Sequence, residues 1–120
     1  MLTKMFSDEL LPKLPPLGSQ EGLSDPVVHM KFFTRDAEWA WYVTEGSPTD
    51  DDFMFFGFVF GIEQEWGYFS LSDLADVCGP SGFPVERDLR FEPDSFSKVM
   101  AREIRWRRSR PAGDLHIASC

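Results

Sequence analysis

An α+β fold is what this sequence predicts: a mainly antiparallel sheet of four to five strands with two to three helices. Three observations carry that expectation. The run from Phe53 to Ile62 has no charge and no polar side chain. It is too short to cross a bilayer, which needs ~20 apolar residues, so it reads as a central strand covered on both faces. Just before it, Trp39, Trp41 and Val43 alternate with Glu38, Ala40, Tyr42 and Thr44, the period of a strand. Further on, Leu71, Leu74, Ala75 and Cys78 recur at helical spacing, as do Phe96, Val99, Met100 and Ile104.

The other elements follow in order. Ser7-Asp8-Glu9-Leu10-Leu11 offers a cap, first-turn acids and two leucines, so a short helix is expected, stopped near Pro12 or Leu14. Pro15-Pro16 forces extended chain, and residues 17–22 read as a loop. Pro26 opens a first strand with Val28, Met30 and Phe32 on one face and His29 and Lys31 on the other. In the central strand the even positions Met54, Phe56, Phe58, Phe60 and Ile62 are all bulky. Phe56 and Phe58 are therefore expected against Trp39 and Trp41, with Gly57 and Gly61 leaving room for a neighbour. Tyr68-Phe69 is a short strand. Ser70 caps a helix that Gly79-Pro80 ends. Val85, Leu89 and Phe91 alternate with charged residues as a last strand, where Arg87 is the one ion on the apolar parity. Pro93-Asp94-Ser95 starts the final helix.

At 120 residues one domain is expected, over 1–106, with an Arg-rich flexible tail over 107–120. Twelve Phe among eighteen aromatics imply an aromatic-heavy core. The formal charge of −8 disfavours direct nucleic-acid binding, apart from a weak contribution from the tail. From Asp36 to Glu86 eleven carboxylates occur without a single Lys, Arg or His, whereas the last nineteen residues hold five Arg against two acids. Cys78 and Cys120 match no metal spacing and are expected as reduced thiols of a cytoplasmic protein. No stretch has signal-peptide character or membrane-spanning length. No metal, cofactor or catalytic set is legible.

The acids Asp36, Glu38, Glu45, Asp50, Asp51, Asp52, Glu63 and Glu65 are the candidate partner-binding residues. Several of them flank the central strand at its turns. They read as a solvated rim, as a surface imitating nucleic-acid charge, or as a divalent-cation site. The last lacks the Gly and distal Glu of a calcium loop. Inward-pointing Arg87 is expected to meet a carboxylate such as Glu45. If the two line a cleft instead, Glu45 and Arg87 become anion-binding or acid–base groups. His29, without a nucleophile in any recognisable motif, is a surface residue.

Several pieces occur together in a characteristic order: Leu10-Leu11-Pro12-Lys13-Leu14-Pro15-Pro16-Leu17, Lys31-Phe32-Phe33-Thr34, Trp39-Ala40-Trp41-Tyr42-Val43-Thr44-Glu45, Phe56-Gly57-Phe58-Val59, Gly67-Tyr68-Phe69-Ser70-Leu71 and Glu86-Arg87-Asp88-Leu89. In this the chain resembles a family of small bacterial proteins, domain of unknown function 2958. The resemblance covers residues 10–92 and carries no catalytic residue with it; the Arg-rich tail departs from the pattern. It implies cargo of plasmids, integrative elements and phages, often beside antirestriction genes. Charge and resemblance together point to a mobile-element accessory protein that binds and inhibits a nucleic-acid-handling host defence protein. The type would be anti-restriction or anti-CRISPR, with DNA mimicry as one route. The expected partner is basic and nucleic-acid-binding, and the chain itself a monomer or weak homodimer. The alternatives are a small enzyme with a Glu45/Arg87 cleft and a non-inhibitory regulatory module.

Overall fold

The structure, a computed structural model, describes residues 14–110, 113 and 115–120. The helix expected over Ser7–Leu11 lies outside them. Strands β1 (Val27–Val28), β2 (Met30–Thr34), β3 (Ala40–Pro48), β4 (Phe53–Phe60) and β5 (Gln64–Ser70) come first. Helix α1 (Leu71–Ala75), strands β6 (Val77–Cys78), β7 (Val85–Arg87) and β8 (Asp94–Ser95), helix α2 (Phe96–Arg108) and β9 (Ala118–Ser119) follow. The main sheet has five antiparallel strands in the order β5-β4-β3-β2-β7, and two-stranded ladders pair β1 with β8 and β6 with β9. The α+β expectation is met. The uncharged run supplies an interior strand over Phe53–Phe60. That strand is covered on the face of Phe53 and Phe55 and only in part on the face of Phe56 and Phe58, while Ile62 lies beyond it and is exposed.

Register decides which side chains share a face. Trp41 lies opposite Val59 and Tyr42 opposite Phe58, and directly opposed residues point the same way. Trp41 therefore shares a face with Phe53 and Phe55, and Phe56 and Phe58 occupy the other. The expected packing of Phe56 and Phe58 on Trp39 and Trp41 does not form. Both parities of β4 are bulky, so composition alone could not select one. Trp39 and Trp41 do touch, with ring centroids 5.5 Å apart, and a Cβ on Gly61 would collide with the Trp39 indole.

One face carries Leu14, Met30, Phe32, Trp41, Val43, Phe53, Phe55, Phe69, Leu71, Leu74 and Val85. The opposite face carries Val28, Ala40, Tyr42 and Phe60 under Val99 and Met100 of α2. Val28 and Met30 thus fall on opposite faces, against expectation. The ladder breaks at His29, whose N–H goes to the carbonyl of Val43. In α2 the inward position goes to Glu103, and Ile104 is 40% exposed. Leu89 likewise sits in an exposed turn beyond the three-residue β7.

Ser70 caps α1 as its sequence predicts. Its Oγ accepts from Asp73 N at 3.0 Å, and Asp73 Oδ2 accepts from Ser70 N at 3.1 Å. The helix stops at Ala75 rather than reaching Cys78. Val77 and Cys78 instead pair with β9, Cys120 N donates to Asp76 O at 2.7 Å, and Cys78 and Cys120 form a disulfide with Cα atoms 5.1 Å apart. The expectation of free thiols is corrected here. The boundary expected at 106 falls inside α2. Beyond it the chain returns to the domain through this disulfide and through Leu115 O, which accepts from the Trp39 indole at 2.8 Å.

Candidate functional site

The site begins with a bulge. The β3–β4 register slips between Val43 and Glu45, so Val43 opposes Gly57 while Glu45 opposes Phe56. One extra residue re-aims a side chain, and Glu45 turns to the α2 side of the sheet. There its carboxylate accepts from Gly18 N and Gln20 N, each at 2.7 Å. Those bonds hold residues 16–23, a series of tight turns, against β3. Gln20 completes the clamp by bonding both backbone groups of Val27 and the carbonyl of Thr44. Glu45 is buried and acts as an anchor for this loop.

Between the clamped loop and β5 lies an open groove of about 400 Å³. Leu23, Glu45, Phe56, Trp66, Tyr68 and Phe96 form its main surfaces. The rings make a continuous wall: Phe56 and Trp66 stack at 5.7 Å, Phe56 meets Tyr68 at 4.9 Å, and Trp66 meets Phe96 at 4.6 Å. With the rings in mutual contact, a ligand lies across the wall, not between rings. Trp66 is 39% and Tyr68 69% exposed. Two carboxylates, Glu21 and Glu45, line the groove and no Lys or Arg does. Its field therefore favours cations, which aromatic faces also attract.

The structure scatters the acids singled out from sequence. Asp50 and Asp51 are exposed in the β3–β4 loop, and Glu63 and Glu65 are exposed at the β4–β5 turn and on β5. The length of β4 separates the two pairs, roughly 23 Å at ~3.3 Å per residue. Asp52 caps the start of α1, accepting from Ser72 N at 3.1 Å and Phe53 N at 2.8 Å. The Ser72 hydroxyl on this carboxylate holds it below the usual carboxylate range. Asp36 takes Ser81 N at 2.6 Å, while its Oδ1 is buried without a partner. Glu38 offers its backbone carbonyl to Arg107 at 2.8 Å.

Glu45 and Arg87 are not brought together. Arg87 opposes Phe32 and so points to the face opposite the one Glu45 occupies. It lines a second cavity of about 220 Å³ with Leu14, His29, Met30 and Phe91. Its Nη1 is buried without an acceptor, and burial lowers both its pKa and that of His29. The neighbouring Glu86 binds Arg35 through two bonds of 2.9 and 2.8 Å. The cleft expected of Glu45 and Arg87 is thus replaced by two unrelated sites, because the bulge reverses the facing of Glu45.

Sequence reasoning missed an ionic cluster beneath α2. Buried Glu103 accepts from the Tyr42 hydroxyl and from Arg107 Nε at 2.6 Å, with Lys31 Nζ 3.7 Å away. Arg107 also lies over the Phe60 ring at 4.6 Å. The i,i+4 spacing of Glu103 and Arg107 was the available signal. Both Glu103 oxygens are occupied, so the cluster ties helix to sheet.

Among the described residues no group of three or more His, Cys, Asp or Glu could hold a metal ion, and no helix is long and apolar enough to cross a membrane. Fold and site define a small α+β domain with an open groove that is aromatic and acid-lined. The chain belongs to the family described as protein of unknown function (DUF2958), whose model matches residues 2–106. Comparison with curated proteins and with solved structures found no match.

Proposed function

We propose that this chain is a partner-binding protein whose groove receives cationic side chains of a basic protein. One observation carries the reading. On a chain of net charge −8, an open groove of about 400 Å³ is walled by Phe56, Trp66, Tyr68 and Phe96 and lined by Glu21 and Glu45 without a cation among the described residues. Exposed aromatic side chains of this kind are the usual anchors of protein interfaces. The exposed acids Asp50, Asp51, Glu63 and Glu65 add long-range steering, raising association rates more than affinity. Proteins that handle nucleic acid are the natural class of basic partner. In this reading the chain is a mobile-element accessory protein acting in the cytoplasm. It occupies a host defence protein of the restriction or CRISPR type and thereby inhibits it. In that compartment thiols are kept reduced, so the Cys78–Cys120 disulfide forms only where that protection lapses. Mimicry of DNA by a single acidic array receives less support, given the separation of the two acidic pairs along β4. The enzyme reading loses its cleft.

The test is capture of a partner from host cells with the wild-type chain, followed by displacement of duplex DNA from that partner. A groove variant, Trp66→Ala with Tyr68→Ala, is expected to lose displacement. Asp51→Lys with Glu65→Lys is expected to slow association and weaken its salt dependence. A captured partner that binds no nucleic acid, or one displaced equally by wild type and groove variant, overturns the proposal.

A further inference from the structure

The groove borders a strand whose outer edge is unpaired among the described residues. Strand β5 ends the sheet. Its alternation can be read from two bonds. Gly61 N donates to Glu63 O at 3.1 Å, which makes the adjacent Phe60–Gln64 pair one whose own N–H and C=O groups point outward. Counting along the ladder, Glu65, Gly67 and Phe69 bond to β4, while Gln64, Trp66, Tyr68 and Ser70 turn their backbone groups to the open side. Ser70 N agrees, since it is free to bond Asp73 instead of β4. The outward groups of Trp66 and Tyr68 are thus unpaired among the described residues, and the same two residues project their rings into the groove wall. A strand added here antiparallel to β5 would have its edge-bonding residues on the groove side, because in that pairing the residues that exchange bonds are directly opposed and share a face.

We infer that β5 takes up an extended, basic segment of a partner protein as a sixth, antiparallel strand, with every second side chain laid across the aromatic wall. The inference rests on the partner-binding reading above and specifies how the segment is held. Charge complementarity selects the occupant. Glu21 and Glu45 line the groove, Glu63 and Glu65 flank the start of β5, and no Lys or Arg lines the groove or lies within β5. A Lys or Arg in the segment meets ring faces and the exposed Glu21 carboxylate on one side, within the negative field to which anchored Glu45 adds, and its neighbours meet Glu65 on the other. Main-chain bonds supply affinity and alternate side chains supply specificity, as in other strand-addition complexes. Exposed edges of this kind are otherwise shielded, by charge or by covering segments.

The probe is a capped synthetic peptide alternating Lys and Val over about nine residues, titrated against the full chain at moderate salt. Two derivatives carry backbone N-methyl groups, one on the Lys positions and one on the Val positions. Lys over the groove uses its own N–H groups at the edge, so N-methyl-Lys should weaken binding about tenfold or more, two lost hydrogen bonds being enough. N-methyl-Val should change it less than about twofold. On the protein side, Tyr68→Pro removes an outward N–H without touching the β4 ladder and should bind more weakly than Tyr68→Ala; circular dichroism checks that both fold. If Tyr68→Pro does not fold, the two derivatives against the wild-type chain decide alone. Equal binding of the two derivatives overturns strand addition and leaves a charge-driven groove, so the partner-binding reading survives. Failure of every peptide to bind up to about 1 mM, the weak end of the affinity scale, overturns both. A concentration-dependent dimer that Tyr68→Pro abolishes would make a second copy the occupant and overturn the inference.

Discussion

On one face of the sheet Phe32 and Phe55 are fully buried, their rings 5.4 Å apart, and α1 and Leu14 close over them. On the other face Tyr42 and Phe60 are sealed under Val99 and Met100 of α2, but Phe56, Trp66 and Tyr68 continue past the helix into the open. The two faces use the same residue types. What differs is the cover: α2 reaches only part of the sheet, and the loop clamped by Glu45 stands off from β5 and leaves a groove. Aromatic area withheld from the core is available for a partner. Burial therefore distinguishes the residues that hold this fold together from those free to bind, and substitutions can test that division.

The largest effect is expected at the sealed face. Phe55→Ala should cost ~3–5 kcal/mol, the range for truncating a buried Phe, read by chemical denaturation. Phe58→Ala, on the half-covered face, should cost clearly less. Equal losses would erase the distinction between the faces. Next comes the strap at the C-terminus. Reducing the Cys78–Cys120 disulfide, which spans 42 residues, should lower stability by ~2–4 kcal/mol. Deleting residues 107–120 should lower the thermal midpoint too, since the deletion also removes Arg107 from Glu103. An unchanged midpoint would show the tail to be an ornament.

Glu103→Gln comes third. It leaves Arg107 and Lys31 without their counter-charge, and their partial exposure to solvent moderates the loss to ~1–3 kcal/mol. A smaller effect follows pH. Burial lowers the pKa of His29 from its ordinary 6.5, so below that value the unfolded chain binds more protons than the folded one. The stability contributed by neutral His29 is complete above pH 6.5 and is lost as pH falls through the folded pKa. Thermal melts of wild type and His29→Asn should converge at acidic pH relative to neutral pH, and parallel curves would contradict this. The carboxylates of Asp25, Asp52 and Asp94, lowered chiefly by hydrogen bonds from Ser97, Ser72 and Arg102, act in a separate window below 3.8. The smallest effect on stability belongs to the open face. Tyr68→Ala should change it by less than ~0.5 kcal/mol, as exposed substitutions do.

Much of the architecture was legible because it rests on local pattern. The uncharged run ending at Ile62 read as an interior strand, Ser70 with Asp73 matched a helix start, and the spacing of Phe96, Val99 and Met100 marked α2. The family resemblance was legible for the same reason. What escaped depends on relations between distant residues. A strand with Phe at 53, 55, 56, 58 and 60 carries no period-2 signal, so the face opposite Trp41 could not be chosen. The bulge after Val43 has no mark in the sequence, yet it decides where Glu45 points. The pairing of Cys78 with Cys120 depends on the chain doubling back after α2. Attention to charge drew the sequence reading to acidic turns, whereas the groove is built from Trp66 and Tyr68, whose exposure only the fold reveals.

Amide shift mapping on isotope-labelled chain tests the division of the two faces most directly. With the Lys–Val peptide added, the account predicts saturable shifts centred on Gln64–Tyr68, residues 20–23 and Phe96, while Phe32, Phe55 and the Asp50–Asp51 loop stay still. Shifts concentrated at Asp50 and Asp51, or spread evenly over every exposed acid, would contradict it and return the aromatic wall to an unfinished edge of the core.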